Sequence, residues 1–456
     1  MFKKYQKIHF IGIGGIGMSG IAEILLTLGL TVTGSDIKTN QMVKRLERRG
    51  AKIWIGHNKE HVKGAHVVVI SSAVSEKNPE VCYAHKLNIP VVPRAEMLAE
   101  LMRLKYGIAI AGTHGKTTTT SLIAAIVDKG GLDPTVIIGG KVKSLRGNAR
   151  LGKGDYLIAE ADESDRSFLK LSPTIGVITN IDPEHLENYR NFAHLKDAFV
   201  SFANKVPFYG SVICCIDHPV VRKIIPKIDR KVITYGETGT DYVAKNITQV
   251  KDNLFFNVLY KNDFLGEIML PMVGKHHVKN ALAAIAVGCE LDIPFSVIKK
   301  ALKGFSGVSR RFEILFNEGP VVVDDYAHHP VEISATISAA KHGWPDKRIV
   351  VVLQPHRFSR LKALFEDFAL CAKLADMVLV MDVYQAGEKA IKGVTSEKLF
   401  ELIRKNFPKK AIAYTPLSKD VLDMLDKWCG DNDLILFLGA GDITKTAHLF
   451  SGDIKE

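Results

Sequence analysis

From residue 7 to about residue 106, short apolar runs alternate with amphipathic stretches. KIHFIGI, LTVTGSD, AHVVVISSAV and NIPVVPR have the length and composition of strands, while IAEILLTLG, MVKRLERRG and RAEMLAELMRL place apolar residues at helical spacing. Such alternation predicts a parallel sheet wrapped by right-handed crossovers, a Rossmann-like domain over residues 1–106. A second unit, 107–307, opens with YGIAIAGTHGKTTTTSLIAAIVDKGG, which reads as strand, glycine-rich loop and helix. Its strands in DYLIAEADESD and SPTIGVITNIDPEHLENY run out into acidic and polar residues, and HHVKNALAAIAVGCEL predicts a further helix. In a doubly wound sheet, ligands bind beyond the carboxyl ends of the strands, where these polar clusters fall. A third unit, 308–456, alternates again through GPVVVDDYA, RIVVVLQPH, DMVLVMDVY, KAIAYT and DLILFLGAG. The predicted fold class is α/β in three domains: an N-terminal Rossmann-like domain, a central P-loop ATPase-like doubly wound sheet and a C-terminal Rossmann-like domain.

Composition narrows this picture. A chain of 456 residues exceeds what one hydrophobic core supports, and 46% hydrophobic with 24% charged residues is ordinary for a globular protein. No apolar stretch reaches the roughly 18 residues of a membrane span, and no secretory signal opens the chain, so a cytoplasmic protein with no membrane insertion is expected. Cys82, Cys214, Cys215, Cys289, Cys371 and Cys429 form no CxxC pair and no metal-type spacing, which predicts reduced thiols. The net charge of +12 is spread along the chain without a basic block or an aromatic-basic stacking motif, which argues against nucleic acid and for small polyanions.

Two stretches carry candidate chemistry. IGIGGIGMSG holds Gly12-x-Gly14-x-x-Gly17 between a strand and a helix, with Asp36 about 20 residues on, the layout of a diphosphate-binding turn in dinucleotide folds. By itself it admits an NAD-dependent dehydrogenase. GTHGKTT supplies Gly112 and Gly115 for close backbone approach to phosphate, Lys116 for the β/γ-phosphates and the Thr117 hydroxyl for Mg²⁺. The commoner G-x-x-x-x-G-K-[ST] spelling fails, because Ile110 stands five residues before Gly115; the placement after a strand and before a helix is what points to ATP. A hydride transfer has no use for this second site, whereas a P-loop switch or motor would leave the N-terminal module unexplained. Glu160 ends a predicted strand where a carboxylate completes a Mg²⁺ site, with Asp162, Glu163 and Asp165 on the same turn. His185 in NIDPEHLENY also follows a strand, and a lone histidine is more often structural than catalytic.

Taken together, HFIGIGGIGMSGIAE, AGTHGKTTTT, AEADESDRSFLKLSP, TNIDPEHLENY, RRFE, DDYAHHPVEI, QPHRFSR and DVYQAGE make the chain resemble the Mur ligase family, the ATP-dependent amide-forming enzymes of peptidoglycan synthesis, over nearly its whole length. The resemblance implies ATP and Mg²⁺, two ions, and the joining of L-alanine to the carboxylate of UDP-N-acetylmuramate. It implies an ATP site of Gly112, Thr113, His114, Gly115, Lys116, Thr117 and Thr118, completed by His276, Asn280, Arg311 and Asp325. Thr117, Glu160 and His185 become metal ligands, and Lys116, Glu160, His185, Arg311 and His328 the catalytic set. Gly14, Gly15, Ile16, Gly17, Ser35, Asp36 and Ser71 become the UDP-sugar cradle, and Tyr326, His328, Arg357 and Arg360 the amino-acid pocket. Three positions depart from or qualify the pattern: His277 where the family commonly has Asn, Ala327 where Gly is usual, and Val200 at the spacing at which sister ligases carry a carbamylated lysine.

Overall fold

The computed structural model describes residues 5–71, 73–142 and 147–452. Three sheets organise them. The first contains β1 (Lys7–Ile11), β2 (Thr31–Asp36), β3 (Lys52–Ile55), β4 (Val67–Ile70) and β5 (Val91–Pro93) in the order β3-β2-β1-β4-β5, with every neighbouring pair parallel. The second contains β6 (Tyr106–Ala111), β7 (Thr135–Val142), β8 (Gly147–Arg150), β9 (Tyr156–Glu160), β10 (Ile175–Ile178), β11 (Ser211–Cys215), β12 (Lys231–Gly236), β13 (Tyr242–Val250), β14 (Asn253–Tyr260) and β15 (Asp263–Leu270). Its order is β15-β14-β13-β12-β11-β10-β6-β9-β7-β8. The third contains β16 (Glu313–Phe316), β17 (Val321–Asp325), β18 (Arg348–Leu353), β19 (Met377–Val380), β20 (Ala411–Tyr414) and β21 (Asp433–Leu438) in the order β16-β17-β21-β18-β19-β20.

The expected parallel cores are present, and the edges differ from expectation. β7 pairs with β8, and β16 with β17, in antiparallel fashion. β3, β7, β8, β12, the run β13–β15 and β16 were not anticipated from the apolar pattern. β14 alternates buried and half-buried residues, and β3 and β16 contain no fully buried residue, so none of them carries the continuous apolar run that marks an interior strand. Cys214 and Cys215 are buried on β11, Cys82 is exposed, and all six cysteines are free. Among the described residues no helix is long and apolar enough to cross a membrane.

By internal contacts the chain divides into two units. One comprises Met1–Asn246, Phe256–Ile268 and Lys279–Ser306, and the other Ile247–Phe255, Met269–Val278 and Gly307–Glu456. In the first unit, β6 lies between β9 and β10, so the ends of these three strands share one rim. The turn that follows β9 is anchored from below by Phe168, fully buried edge-on to Phe199 (5.2 Å between ring centroids) and stacked on Phe202 (5.4 Å). In the second unit, β17, β21 and β18 are buried throughout or nearly so, which fixes the residues at their carboxyl ends on a rigid base.

Truncating Phe168 removes a ring whose volume its neighbours cannot refill. Phe168→Ala is expected to cost about 3–5 kcal/mol in urea unfolding; a loss below 1 kcal/mol would show that the turn does not depend on this anchor.

Candidate functional site

The N-terminal turn is built by backbone geometry. Gly12 has φ +79°, and the N–H groups of Gly12 and Ile13 donate to the Ser35 carbonyl (2.8 and 3.1 Å). Gly14 N–H donates to Asp36 Oδ2 at 2.8 Å, and Asn40 Nδ2 donates back to the Gly14 carbonyl at 3.1 Å. A Cβ at Gly14 would lie 2.7 Å from Asn40 Nδ2 and 2.9 Å from Asp36 Oδ2, so this position has no room for a side chain. The helix Ile16–Thr27 starts at Gly15 without a side-chain cap or an acidic residue in its first turn, which leaves its amino end open to an anion. The Ile16 side chain lies outside the described residues. A cavity of about 530 Å³ lies over this turn, lined among others by Gly14, Gly15, Asp36, His57 and Ser71, with Lys38 and Lys77 adding positive charge.

Ser35 faces a buried carboxylate that sequence reasoning missed. Glu80, fully buried, accepts from Ser35 Oγ (2.5 Å) and the Asn58 N–H (3.1 Å), and lies 2.6 Å from His61 Nδ1 and 3.4 Å from His9 Nε2. His57, on the cavity wall, reaches Ser35 Oγ at 3.0 Å through Nδ1. Trp54 stacks on His61 at 4.5 Å. Burial pushes the Glu80 carboxyl up, but hydrogen bonds from His9, Ser35 and His61 outweigh it and hold the group down at about 2. Glu80 is spaced from its partners by 19 to 71 residues, so no local motif announces it.

The phosphate loop follows β6 directly. Gly112 has φ +142°, and a Cβ there would collide with the Thr179 hydroxyl; Gly115, φ +82°, would place a Cβ 2.7 Å from Asn280 Oδ1. The loop is braced by the segment after β10: Thr113 N–H donates to the Asn180 carbonyl, His114 N–H to Asn180 Oδ1 (2.7 Å), Thr179 Oγ1 to the His114 carbonyl (2.7 Å), and Asp182 N–H to Thr113 Oγ1 (2.9 Å). The helix Lys116–Lys129 has no side-chain cap at Gly115 and no acid in its first turn, and Thr118 in that turn is buried. Asn280 lies beside this loop and accepts from Thr119 Oγ1 at 3.2 Å. Lys116 Nζ contacts the Gly112 carbonyl and both carboxylate oxygens of Glu163.

Thr117 lies in the first turn of the helix after β6, Glu160 ends β9 and His185 lies beyond the end of β10, and these three strands are neighbours in the sheet. The Thr117 hydroxyl and the Glu160 carboxylate are the oxygen donors that a hard divalent ion takes, whereas the His185 imidazole is a softer donor. His185 is held at φ +56°, and its ring nitrogens come no nearer than 3.8 Å to the carboxylates of Glu184 and Glu187, beyond hydrogen-bond reach.

In the second unit, β17 ends in Asp325, which is buried and accepts from the Phe312 and Ala327 N–H groups, each at 2.7 Å. Burial raises its carboxyl to about 6 against the pull of Arg311 and those backbone donors. The guanidinium groups of Arg310 and Arg311 lie 5.1 and 5.5 Å from the centroid of the Tyr326 ring. His328 packs edge-on to Tyr326 (5.2 Å) and His356 (5.7 Å), and His356 stacks on Tyr384 (5.6 Å). Arg360 Nη1 approaches His356 Nδ1 at 3.3 Å, and Arg357, at φ +71°, begins the helix Phe358–Ala363 with its N–H on the Tyr384 carbonyl. Tyr326, His328 and Arg360 are therefore brought together through His356, which sequence reasoning passed over together with Tyr384. Burial lowers His328 to about 4; its Nδ1, 3.0 Å from the Tyr326 carbonyl, must carry the proton, which leaves Nε2 as an acceptor. Ala327 has no positive φ, so its methyl group introduces no backbone strain. His276 and His277 adjoin, 4.0 Å between rings, and burial holds the His277 imidazole well below its usual range.

Two glycine-rich turns, one of them a lysine-bearing phosphate loop with acids on its rim, and a separate aromatic-basic cluster define a nucleotide-dependent enzyme. Family models match in three consecutive parts: the Mur ligase family catalytic domain over residues 7–106, the Mur ligase middle domain over 110–288, and the Mur ligase glutamate ligase domain over 310–441. The chain belongs to the Mur ligase family. It is 53% identical to the UDP-N-acetylmuramate–L-alanine ligase of Geotalea uraniireducens, covering 100% of this chain and 99% of that one, and 51% identical to the ligase of the same description from Sulfurihydrogenibium, covering 100% of both. The crystal structure of UDP-N-acetylmuramate-alanine ligase from Thermotoga maritima matches with a TM-score of 0.84 at 30% identity, covering 98% of each chain.

The Glu80 carboxyl is depressed in the folded protein, so its contribution to stability is complete above about pH 4.5 and is lost as pH falls towards 2. Of the acid destabilisation of the wild type, about 3 kcal/mol is expected to vanish in Glu80→Gln when unfolding is measured from pH 6 to 2. Parallel pH profiles for the two proteins would show that the histidine cluster does not hold this carboxylate.

Proposed function

We infer that this chain is an ATP-dependent ligase that joins L-alanine to the carboxylate of UDP-N-acetylmuramate in peptidoglycan precursor synthesis, releasing ADP and phosphate. The observation that carries the reading is full-length identity of 53% to such a ligase in a chain that retains a lysine-bearing phosphate loop and a second glycine-rich diphosphate turn. The three-part division at 1–106, 107–307 and 308–456 belongs to this reading and is supported by the three sheets. So does a cytoplasmic location, where the nucleotide substrates are.

Hydroxide is a poor leaving group, so the carboxylate is first activated. Its oxygen attacks the ATP γ-phosphorus, the bond to ADP breaks, and an acyl phosphate forms. The neutral amine of L-alanine then attacks the acyl carbon through a tetrahedral intermediate, and phosphate leaves. Phosphoryl transfer depends on positioning and charge neutralisation, the roles we assign to Lys116 and Arg311 and to the backbone N–H groups of Gly112 to Thr118. Mg²⁺ held by Thr117, Glu160 and His185, with a second ion in the same set, supplies charge neutralisation between phosphate and carboxylate. His276, Asn280 and Asp325 complete the ATP site. Gly14, Gly15, Ile16, Gly17, Ser35, Asp36 and Ser71 hold the UDP-sugar; the open helix end and the lysines of the cavity support this. Tyr326, His328, Arg357 and Arg360 receive the amino acid, whose carboxylate a guanidinium can grip with two parallel hydrogen bonds. His328, neutral with Nε2 as an acceptor, is suited to take the amine proton, though its low basicity makes it a modest base.

Phosphate release with ATP, Mg²⁺ and UDP-N-acetylmuramate is expected with L-alanine and to fall with bulkier amino acids; no release with L-alanine would overturn the assignment. Arg357→Ala is expected to raise the KM for L-alanine at least tenfold, the loss of about 1.4 kcal/mol or more of carboxylate binding, while the KM for ATP changes less than twofold. Equal effects on both substrates would remove Arg357 from the amino-acid pocket.

A further inference from the structure

Lys116 makes four short contacts. Its Nζ lies 2.6 Å from the Gly112 carbonyl, 3.2 Å from the Thr113 carbonyl and 2.9 and 2.8 Å from the two carboxylate oxygens of Glu163. An ammonium has three N–H donors and no acceptor. With two donors on loop carbonyls and the third on a carboxylate, none remains for a phosphate oxygen. Glu163 is 2% exposed and plays no part in the mechanism above. Its backbone is fixed: the Tyr189 hydroxyl and the Arg166 N–H both donate to its carbonyl, and Tyr189 is itself buried under the Arg166 guanidinium. The neighbouring acid Asp162 is engaged elsewhere, with the Ser164 N–H on its Oδ1 at 3.0 Å. Only the side-chain torsions of Glu163 are left free to change.

A carboxylate and a polyphosphate cannot share one lysine at these distances without strong mutual repulsion. Of the three acceptors, exchanging the carboxylate for a phosphate is the exchange that keeps the ammonium paired with an anion. We propose that Glu163 is the counter-ion that positions Lys116 in the nucleotide-free protein, and that the phosphates displace it by side-chain rotation. Glu163 thereby competes with ATP, keeps the loop lysine charged and aimed before substrate arrives, and lowers nucleotide affinity below what Lys116 alone would give. This rests on the reading of Gly112 to Thr118 as the ATP site.

The test is equilibrium binding of a non-hydrolysable ATP analogue to wild type and Glu163→Gln, with and without Mg²⁺, alongside thermal unfolding of both proteins without nucleotide. The Gln variant is expected to bind about tenfold more tightly under both conditions, since the phosphates no longer displace a charged partner. Without nucleotide it is expected to melt earlier, because the covered ammonium has lost its anion. A side chain with a merely structural role would weaken binding, so the sign of the change is diagnostic. Unchanged or weaker binding overturns the proposal, and weakening confined to Mg²⁺ would reassign Glu163 to the metal. If Gln does not fold, Glu163→Asp, which draws the charge back by one methylene, is measured against the same outcomes. Failure of the wild type to bind the analogue at all would instead overturn the ATP-site reading.

Discussion

A lysine ammonium largely covered by protein at the end of a central strand is the constraint around which the first unit is arranged. Lys116 is 17% exposed, and such a charge must be paired and hydrogen-bonded to be tolerated. The strand order answers this need: β9 on one side of β6 delivers Glu160 and the Glu163 turn, while β10 on the other delivers Thr179, Asn180 and Asp182. Those residues also explain the glycines of the loop. Thr179 occupies the space that a side chain at Gly112 would need, and Asn280 the space beside Gly115.

The N-terminal turn meets a different demand, leaving the amino end of a helix open to an anion, with the Arg94 guanidinium packed beside Gly17. Its glycines make close approach possible, and Asp36 and Asn40 tie Gly14 from two sides. Beneath it, Glu80 gathers Ser35, His9, His57 and His61 into one polar cluster, so the floor of the cavity is ordered by a charge that never reaches solvent. The second unit uses a related device. Asp325 is buried at the end of β17, where two backbone donors hold it, and the strand ends around it carry the aromatic and basic residues of the remaining cluster.

The motifs were legible because their chemistry is local. A loop that wraps phosphate must be contiguous, so GTHGKTT and IGIGGIG declare themselves within a few residues, and most interior parallel strands announce themselves as apolar runs, though β7 and β12 did not. The edge strands β3 and β16, and the half-buried β14, lacked that signal, since a strand buried on one face or short at a sheet margin needs no continuous apolar run. The roles of Asn180, Glu80, His356 and Tyr384 were illegible for a different reason: each acts on residues tens of positions away and carries no spacing of its own.

The sequence by itself determined the α/β class, the two phosphate-binding turns, the family resemblance and the residues that bear charge. These follow from periodicity and from motifs that chemistry confines to short stretches. Only the tertiary structure decided which acid on the DESD turn meets Lys116, that Glu80 rather than a solvent-facing group partners Ser35, and that His328 is joined to Arg360 through His356. Neighbouring acids along a turn are equivalent as letters. Their hydrogen-bond partners and burial, set by strands that are adjacent in space and distant in sequence, make one of them a counter-ion.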